Sequence, residues 1–248
     1  MKCVTPILID GQYVPCGHCY ACQTIRRNEW DLRLRIHYLH SEYAAFVTLT
    51  YEDRYLPYQG IVSVDDHQKF IGTLRSKARH VKFRYYCIGE YGETFGRPHM
   101  HYILFFDKDI DIIRLVNESW PFGFTDVGDV NNKSIHYVTK WHINPKNRIG
   151  ESREIHGFSN MSKGIGAALL DQLTVNNIRP TYYLDGKRLP VSRYYRKKLG
   201  FEVTDCESLV EYITRKYDCE NLLQVNAVIN RLKDSFEKKQ NNLRKSIF

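Results

Sequence analysis

The sequence predicts an α+β fold with a central antiparallel sheet and helices on one side of it. Residues 45–51, 82–89 and 97–106 are strand-length runs rich in β-branched and aromatic side chains, whereas residues 21–42 repeat apolar side chains at helical spacing. The segments follow in the order helix, strand, helix, strand, strand, with short links. Such an order predicts antiparallel strands that share one sheet, with the helices packed on it.

The composition limits the class of protein. The chain has 248 residues, 43% of them hydrophobic, which is enough for a sizeable core, and no apolar run reaches membrane-spanning length. The first residues lack the apolar core of a signal peptide, so we expect a cytosolic protein. A net charge of +8 with 18 tyrosines and 12 phenylalanines suits nucleic acid, because cations meet phosphates and rings stack on exposed bases.

Four of the seven cysteines, Cys3, Cys16, Cys19 and Cys22, lie near the N-terminus. Three thiols at positions i, i+3 and i+6 can converge on one ion, and Cys3 can complete a tetrahedron. The spacing predicts a structural zinc knuckle, with His18 as a substitute fourth ligand. Ordinary reduced thiols and an iron–sulfur cluster remain as alternatives, whereas the odd cysteine count without a secretion signal argues against a disulfide framework.

The first two helices are indicated by different signals. The helix predicted over residues 21–42 has an apolar face formed by Ile25, Leu32, Ile36 and Leu39. After strand 45–51 and a loop, Ser63 followed by two acidic residues predicts the start of the next helix. The buried stripe of this second helix comprises Phe70, Ile71, Leu74 and Ala78.

The strand over residues 97–106 carries His99 and His101 on one face, because strand side chains alternate. Two imidazoles side by side on a rigid strand form a good metal-binding pair. Glu90 follows strand 82–89, and a hairpin between the two strands would bring its carboxylate over the histidines. A chance pair on a surface strand is the alternative, but Glu90 and the apolar end of the histidine strand favour a metal site.

Beyond residue 107 the pattern predicts a helix near residues 109–118, a strand within 120–127 and a short helix over 134–141. The short helix places Tyr137 and Lys140 on one face, three residues apart. A nearby ammonium helps to form and hold a phenolate, since free tyrosine has a pKa of about 10. An amphipathic tyrosine beside a solvated lysine is the alternative.

The C-terminal part, residues 179–248, is predicted to be a basic, mainly helical accessory region. It holds 15 Lys or Arg against 9 Asp or Glu, so +6 of the net charge of +8 lies there. A basic and aromatic cluster within it suits a DNA backbone and an unstacked base, and a solvated loop is the alternative. This cluster comprises Arg193, Tyr194, Tyr195, Arg196, Lys197 and Lys198. A capping box at residues 204–207 and an apolar stripe from Leu222 to Phe236 predict further helices.

In their order along the chain, these motifs resemble the replication initiator proteins of gokushovirus-type microviruses, members of the HUH endonuclease superfamily. The resemblance covers roughly the first 200 residues. Each motif alone is weak, but their order is specific. The motifs are residues 16–22 (CGHCYAC), 46–51 (FVTLTY), 89–92 (GEYG), 97–101 (RPHMH), 137–140 (YVTK) and the loop at 161–166 (MSKGIG).

The resemblance implies an HUH endonuclease-like sheet and a metal-dependent nickase. Glu90, His99 and His101 would hold exchangeable Mg²⁺ or Mn²⁺, although ligand type alone suggests a transition metal. Tyr137 would attack the scissile phosphate of single-stranded origin DNA, stay joined to the 5′-phosphate and release a 3′-hydroxyl. Lys140 would steady the developing charge, and the phosphotyrosine link would allow later strand joining.

The resemblance also implies where the protein works and with what. It implies the cytoplasm of a host bacterium, single-stranded origin DNA as substrate and host helicase and polymerase as further partners, without a membrane. The oligomeric state stays open. Arg97, just before the histidines, is a further candidate for DNA binding.

One departure from the family pattern concerns the second nucleophile. Related phage initiators can carry a second tyrosine four residues after the first, each with a lysine three residues on. Trp141 and Asn144 occupy those positions here, which puts an alternating two-tyrosine mechanism in doubt. A second protomer, a free 3′-hydroxyl or another tyrosine would then end the cycle. Tyr212 and Arg215 copy the spacing, but their helix is predicted to pack, and we interpret the pair as a decoy.

Two alternatives compete with a phage nickase. A non-catalytic, zinc-stabilised single-stranded DNA-binding protein would need the basic surface and the cysteines alone. A relaxase or single-tyrosine transposase of the same superfamily would share the chemistry. In each case the sequence predicts a Cys-rich knuckle over residues 1–24, a core over 25–178 and the accessory region over 179–248.

Overall fold

The computed structural model describes residues 3–92, 94–143, 157–173, 181–184, 186–200 and 209–245. Within these ranges the strands are β1 (Ile7–Ile9), β2 (Gln12–Val14), β3 (Tyr43–Tyr51), β4 (Phe83–Tyr91), β5 (Pro98–Phe106), β6 (Gly123–Asp129), β7 (Phe158–Met161), β8 (Thr181–Leu184) and β9 (Lys187–Pro190). The α-helices in the same ranges are α1 (Tyr20–Leu39), α2 (Val64–Lys77), α3 (Ile112–Ser119), α4 (Asn132–Lys140), α5 (Arg193–Lys198), α6 (Leu209–Tyr217) and α7 (Leu222–Lys245). The predicted capping box at residues 204–207 and Asn144 lie outside them.

The centre of the fold is a five-stranded antiparallel sheet with the strand order β6-β3-β5-β4-β7. The predicted α+β class and its central antiparallel sheet are thereby confirmed. The hairpin between β4 and β5 pairs Glu90 with His99 and Ile88 with His101. β4 runs to Tyr91, two residues further than predicted, because Tyr91 still pairs with Pro98. Two small hairpins, β1-β2 and β8-β9, stand apart from this sheet.

Helices cover both faces of the sheet, which corrects the prediction of helices on one side. On one face, α2 and α3 pack over alternate residues of the central strands, such as Leu49, Met100 and Tyr102. On the other face, α1 and α4 pack over the intervening residues, such as Ile88 and Ile103. The physical reason is that β5 is apolar at every position from Tyr102 to its end, so both of its faces need cover. We call the side that carries His99 and His101 the histidine face.

Helix α1 connects the remaining parts of the molecule. Its Leu34 enters the core on the histidine face, whereas Leu32 and Ile36 pack against the segment around α5 and β9. Near the start of α1, Ala21 packs with Phe236 of α7. The predicted boundary between residues 24 and 25 therefore falls inside one continuous helix.

The end of α1 differs from the prediction by three residues. The helix stops at Leu39 because side chains satisfy the last carbonyl groups, which would otherwise lack partners. The His40 ring nitrogen Nδ1 lies 2.8 Å from the Ile36 carbonyl, and the Ser41 hydroxyl donates to the His37 carbonyl at 2.7 Å. The chain can then turn directly into β3.

The other predicted elements lie close to their expected places. The Ser63 side chain accepts from the Asp66 amide and caps α2, as predicted. Met161, predicted in a loop, is the last residue of β7, because it pairs with Tyr86 of β4. The apolar stripe of α7 is partly wrong: Val225 and Phe236 are buried, but Leu222 is 64% exposed at the start of the helix. None of the helices within the described ranges is long and apolar enough to cross a membrane.

Candidate functional site

Three side chains on the histidine face, Glu90, His99 and His101, converge on one point. The Oε1 atom of Glu90 lies 3.4 Å from His99 Nε2 and 3.3 Å from His101 Nε2. Neighbouring ligands around one ion, with bonds of about 2.1 Å, lie about 3.0–3.5 Å apart. The three donor atoms therefore have the spacing that a single metal ion requires, and the sequence prediction that Glu90 faces the histidines is matched by the geometry.

Hydrogen bonds to the far nitrogens orient the two rings. His99 Nδ1 lies 3.0 Å from the Arg97 carbonyl oxygen, which can only accept, so Nδ1 carries the proton. A neutral His99 then turns an unprotonated Nε2 toward Glu90. His101 Nδ1 lies 3.0 Å from the Thr48 hydroxyl, and the Phe46 ring stacks on His101 with an interplanar angle of 10°. Such outer contacts fix the ring orientation of metal-ligating histidines.

The charge of Glu90 suits a cation site. Burial opposes ionisation of this carboxyl, but hydrogen bonds from His101, His99 and Tyr137 outweigh it and hold the pKa of Glu90 well below its usual range. For His99, burial works in the other direction, but the Glu90 carboxylate raises its pKa. The cluster thus pairs an ionised carboxylate with two imidazoles that compete for the same acceptor.

Tyr137 reaches the same point from helix α4. Its hydroxyl donates to Glu90 Oε1 at 2.6 Å and lies 3.4 Å from His101 Nε2. The side chain is 45% exposed, so a substrate can reach the hydroxyl from solvent. The structure therefore brings Tyr137 together with all three of the predicted metal ligands.

The position of α4 is fixed at both ends. At its start, Asn131 and Ser134 form a capping box, and the Arg35 guanidinium donates to the Asn132 side chain. Arg35 is itself buried in an ion pair with Asp31. The inner face of α4 packs into the core on the histidine face through Ile135 and Val138. Tyr137 consequently stands on a rigid support.

Two further predicted residues follow Tyr137 on or just after the same helix. Lys140 is exposed at the end of α4. Trp141, at the position where related initiators can carry a second tyrosine, is 7% exposed and belongs to the core on the histidine face. The decoy candidate Tyr212 lies on α6, where its hydroxyl accepts a hydrogen bond from Lys216.

The four N-terminal cysteines form a second cluster. The sulfur atoms of Cys3, Cys16, Cys19 and Cys22 all lie within 4.8 Å of one another. Cys3 Sγ lies 3.5 Å from Cys16 Sγ and 3.9 Å from Cys19 Sγ. A zinc ion with four bonds of about 2.3 Å to sulfur would space the sulfurs about 3.8 Å apart, so the four thiols fit a structural zinc site.

Polar contacts already stabilise charge on this cluster. The Cys16 amide donates to Cys3 Sγ, and the Cys19 amide donates to Cys16 Sγ, each at 3.3 Å. The hydrogen bond from Cys22 lowers the pKa of Cys19 to about 4, and the same contact with burial raises the pKa of Cys22. Thiolate is the form that binds zinc. His18, the predicted substitute ligand, is not a member of this cluster of described residues.

The predicted DNA-binding cluster at residues 193–198 is a helix, α5. Tyr195 is fully buried and donates to the Gly166 carbonyl at 2.8 Å, so it is not available to stack on a base, which corrects that prediction. Arg33 covers the Tyr194 ring at 4.1 Å. The cationic residues Arg193, Lys197 and Lys198 stay exposed, whereas Arg196 is partly buried. The sequence pattern could not show which ring faces the interior.

Arg97 lies beside the candidate metal site. Its Nε donates to the Tyr51 carbonyl at 3.1 Å, and its Nη1 forms an ion pair with Asp53 at 2.7 Å. Thr48 and Phe46 were not singled out as site residues from the sequence. Their signal is the alternation along β3, which puts them on the histidine face together with Thr50.

Known proteins resemble this chain across the stretch that carries the site. A family model of the replication-associated protein ORF2 matches residues 44–144, a range that contains Glu90, His99, His101 and Tyr137. The replication-associated protein ORF2 of Spiroplasma virus 4 is 26% identical over 84% of this chain and 74% of its own length. The resemblance to microvirus replication proteins is confirmed.

Two more relatives carry similar names. The replication-associated protein VP4 of Bdellovibrio phage phiMH2K is 23% identical over 73% of this chain and 66% of its own length. The replication-associated protein ORF4 of Chlamydia phage 1 is 25% identical over 52% of this chain and 37% of its own length. Among solved structures, the hypothetical protein ORF119 of Sulfolobus islandicus rod-shaped virus 1 aligns over 48% of this chain and 96% of its own, with 21% identity and a TM-score of 0.32, too low to carry an argument.

Proposed function

We propose that this protein is a phage replication initiator of the HUH endonuclease type, which nicks single-stranded origin DNA through Tyr137. The observation that carries the proposal is the hydrogen bond of the Tyr137 hydroxyl to Glu90 in the middle of the three-ligand cluster. A nucleophile 2.6 Å from a candidate metal ligand is within reach of any phosphate held there. The names of the relatives support the role in replication.

In the proposed reaction, the deprotonated Tyr137 oxygen attacks the phosphorus of the scissile phosphodiester. A bond forms between the tyrosine oxygen and phosphorus, and the bond from phosphorus to the 3′-oxygen breaks. The released 3′-oxygen takes up a proton and becomes the primer end, while the 5′-phosphate stays on the tyrosine. Attack by a later 3′-hydroxyl would reverse the step and join the strand, since the energy of the phosphodiester is kept in the link.

Glu90, His99 and His101 would hold a Mg²⁺ or Mn²⁺ ion. Bound there, the ion would supply Lewis-acid polarisation of the phosphate oxygens. The role of the protein is to fix Tyr137 on α4 and to orient the ligands through Thr48 and the Arg97 carbonyl. Lys140, exposed on the same helix, would offset the negative charge of the phenolate and the phosphate.

The four cysteines would hold a structural zinc ion. A complete tetrahedron of thiolates leaves no open position for substrate, so this ion would support the fold around α1. Phe236 of α7 packs beside this knuckle, against Val4 and Ala21, so the site would tie both ends of the described chain together.

The test of the function is the covalent intermediate. Single-stranded oligonucleotides tiled across a microvirus genome are incubated with the full chain and Mn²⁺, and denaturing gels are searched for a protein–DNA adduct. We expect one oligonucleotide to give an adduct and a shorter strand with a free 3′-hydroxyl. Binding without any adduct or strand break would favour the non-catalytic single-stranded DNA-binding protein instead.

A further inference from the structure

The histidine face of the sheet is open on one side of the candidate metal site. The core on this face covers β4 and β5, but Thr48, Thr50 and Asp126 on β3 and β6 are partly or fully exposed. The exposed part therefore begins next to the histidines and runs toward β6, the edge strand. A strand of DNA that leaves the metal site can lie across it.

Phe124 is the large apolar residue on this open part, and the strand register gives its place. Glu90 pairs with His99, His99 pairs with Thr50, and Thr50 pairs with Phe124. Paired residues of antiparallel strands point to the same side, so Phe124 shares the histidine face. It lies two strand spacings from His99, about 10 Å, and its side chain is 64% exposed.

The backbone around Phe124 is held tightly. The Glu52 amide donates to the Phe122 carbonyl at 2.9 Å, where β3 ends and β6 begins. Gly123 has a φ of +154°, and a Cβ there would lie 2.4 Å from the Glu52 nitrogen and from the Thr50 carbonyl oxygen. Only glycine permits this close approach. The exposed ring is thus presented from a rigid position.

Phe124 lines a cleft of about 480 Å³ together with Glu52, Asp53, Arg54 and Arg97. Two ion pairs cross it, Arg54 with Glu52 at 2.8 Å and Arg97 with Asp53 at 2.7 Å. The two carboxylates disfavour a phosphate inside the cleft. The edge of a nucleobase suits it, because carboxylates accept from amino groups and guanidinium groups donate to ring oxygen and nitrogen atoms.

We infer that this cleft binds one unpaired base of the DNA substrate, next to the scissile phosphate, with the base stacked on Phe124. Stacking on an aromatic ring contributes about 1–3 kcal/mol per base and tolerates every base. The edge of the base would meet the side chains of the two ion pairs, which gives this position a sequence preference. The inference rests on the proposed function, because it takes single-stranded DNA as the ligand.

The probe is a short oligothymidine that carries one fluorescent adenine analogue, moved along the strand and measured without divalent ions. We expect the wild-type protein to quench the analogue most strongly at one position. Phe124→Ala should abolish this quenching and weaken binding about 5- to 150-fold, whereas Phe124→Trp should keep both. The matched control is Tyr183→Ala, which removes an exposed ring from the β8-β9 hairpin.

A second measurement tests whether the ring and that base contact each other. An abasic site at the quenched position should weaken binding by the wild type as much as Phe124→Ala does, and it should weaken binding by Phe124→Ala no further. Additive losses, or equal losses in Tyr183→Ala, would overturn the inference. Thermal melting of each variant shows that the fold is kept, because the exposed ring contributes little to the core.

The outcome is separable from that of the proposed function. Binding is measured without metal, and Tyr137→Phe can replace the wild type throughout. An adduct in Mn²⁺ with unchanged binding by Phe124→Ala overturns the cleft and leaves the nickase standing. Quenching and its loss in Phe124→Ala without any adduct sustain the cleft and reject the nickase.

Discussion

The Tyr137 hydroxyl donates a hydrogen bond of 2.6 Å to Glu90, a residue 47 positions earlier in the chain. Glu90 stands on β4 and Tyr137 on α4, so the contact joins the sheet to the helix that covers it. The same carboxylate oxygen lies within 3.4 Å of both histidine Nε2 atoms. The proposed nucleophile and the proposed ligands therefore form one constellation.

The nucleophile is tested by Tyr137→Phe. The ring is kept, so its edge contact with Phe46 and the packing of α4 should persist, and only the hydroxyl is lost. We expect unchanged melting and DNA binding with complete loss of the covalent adduct on denaturing gels. Tyr212→Phe serves as control and should still form the adduct. An adduct in Tyr137→Phe would assign the chemistry to another tyrosine.

Metal binding by the three ligands is tested by Glu90→Ala, His99→Ala and His101→Ala. Each variant removes one donor, and we expect weaker Mn²⁺ binding by calorimetry and severely reduced nicking, with little change in melting temperature. Glu118→Ala, which removes an exposed carboxylate on α3, is the matched control. Full activity in Glu90→Ala would remove this carboxylate from the ligand set, and loss of the fold would point to a structural ion.

The Thr48 hydroxyl is predicted to orient His101. Thr48→Val keeps the shape of the side chain but removes the partner of His101 Nδ1, so the ring loses its fixed orientation. We expect an affinity for Mn²⁺ lower by about 10- to 100-fold, the usual effect of losing such an outer contact. Thr125→Val, on the neighbouring strand β6, should bind Mn²⁺ like the wild type. Equal affinity in Thr48→Val would show that Phe46 and the backbone suffice.

The cysteine cluster is predicted to hold about one zinc ion per chain. Elemental analysis after mild chelation should still find it, because four thiolates bind far more tightly than the open site. Cys19→Ser should lower the melting temperature and the zinc content, while the folded fraction still nicks DNA. Cys87→Ser, at a buried cysteine of the sheet, is the control for zinc content. Absence of both zinc and iron, with unchanged melting in Cys19→Ser, would leave ordinary reduced thiols.

The stability of the fold should fall in mild acid because of His67. This residue is 1% exposed, and burial with the nearby Arg75 lowers its pKa to about 4, below the value of about 6.5 expected in the unfolded chain. The unfolded chain then binds the proton more strongly. Stability is full above about pH 6.5 and is lost as the pH falls toward 4, by up to about 3 kcal/mol.

Urea unfolding at a series of pH values measures this effect. His67→Gln should flatten the decline between about pH 6.5 and 4, whereas His80→Gln, at an exposed histidine, should keep it. His37, whose pKa burial also lowers to about 4, should contribute a further part of the decline. A decline of unchanged steepness in His67→Gln would assign it to other groups.

Local patterns predicted much of the fold, since they depend on neighbours in the chain. Alternation along 97–106 indicated a strand with both histidines on one face, and Ser63 with its acidic successors marked the start of α2. The short link between the strands pointed to the hairpin that brings Glu90 beside His99. The family resemblance added Tyr137, which periodicity alone does not distinguish from other tyrosines.

The tertiary structure decided what depends on residues far apart in the chain. Tyr195 and Tyr194 are equivalent in the sequence, yet the packing against α1 buries the first completely and leaves the second partly exposed. The place of Phe124 beside the metal site follows from the register of three strand pairs, which no local pattern encodes. Residue spacing determined which side chains could act, and long-range packing decided which of them meet, because contacts between distant segments arise only when the sheet and its helices assemble.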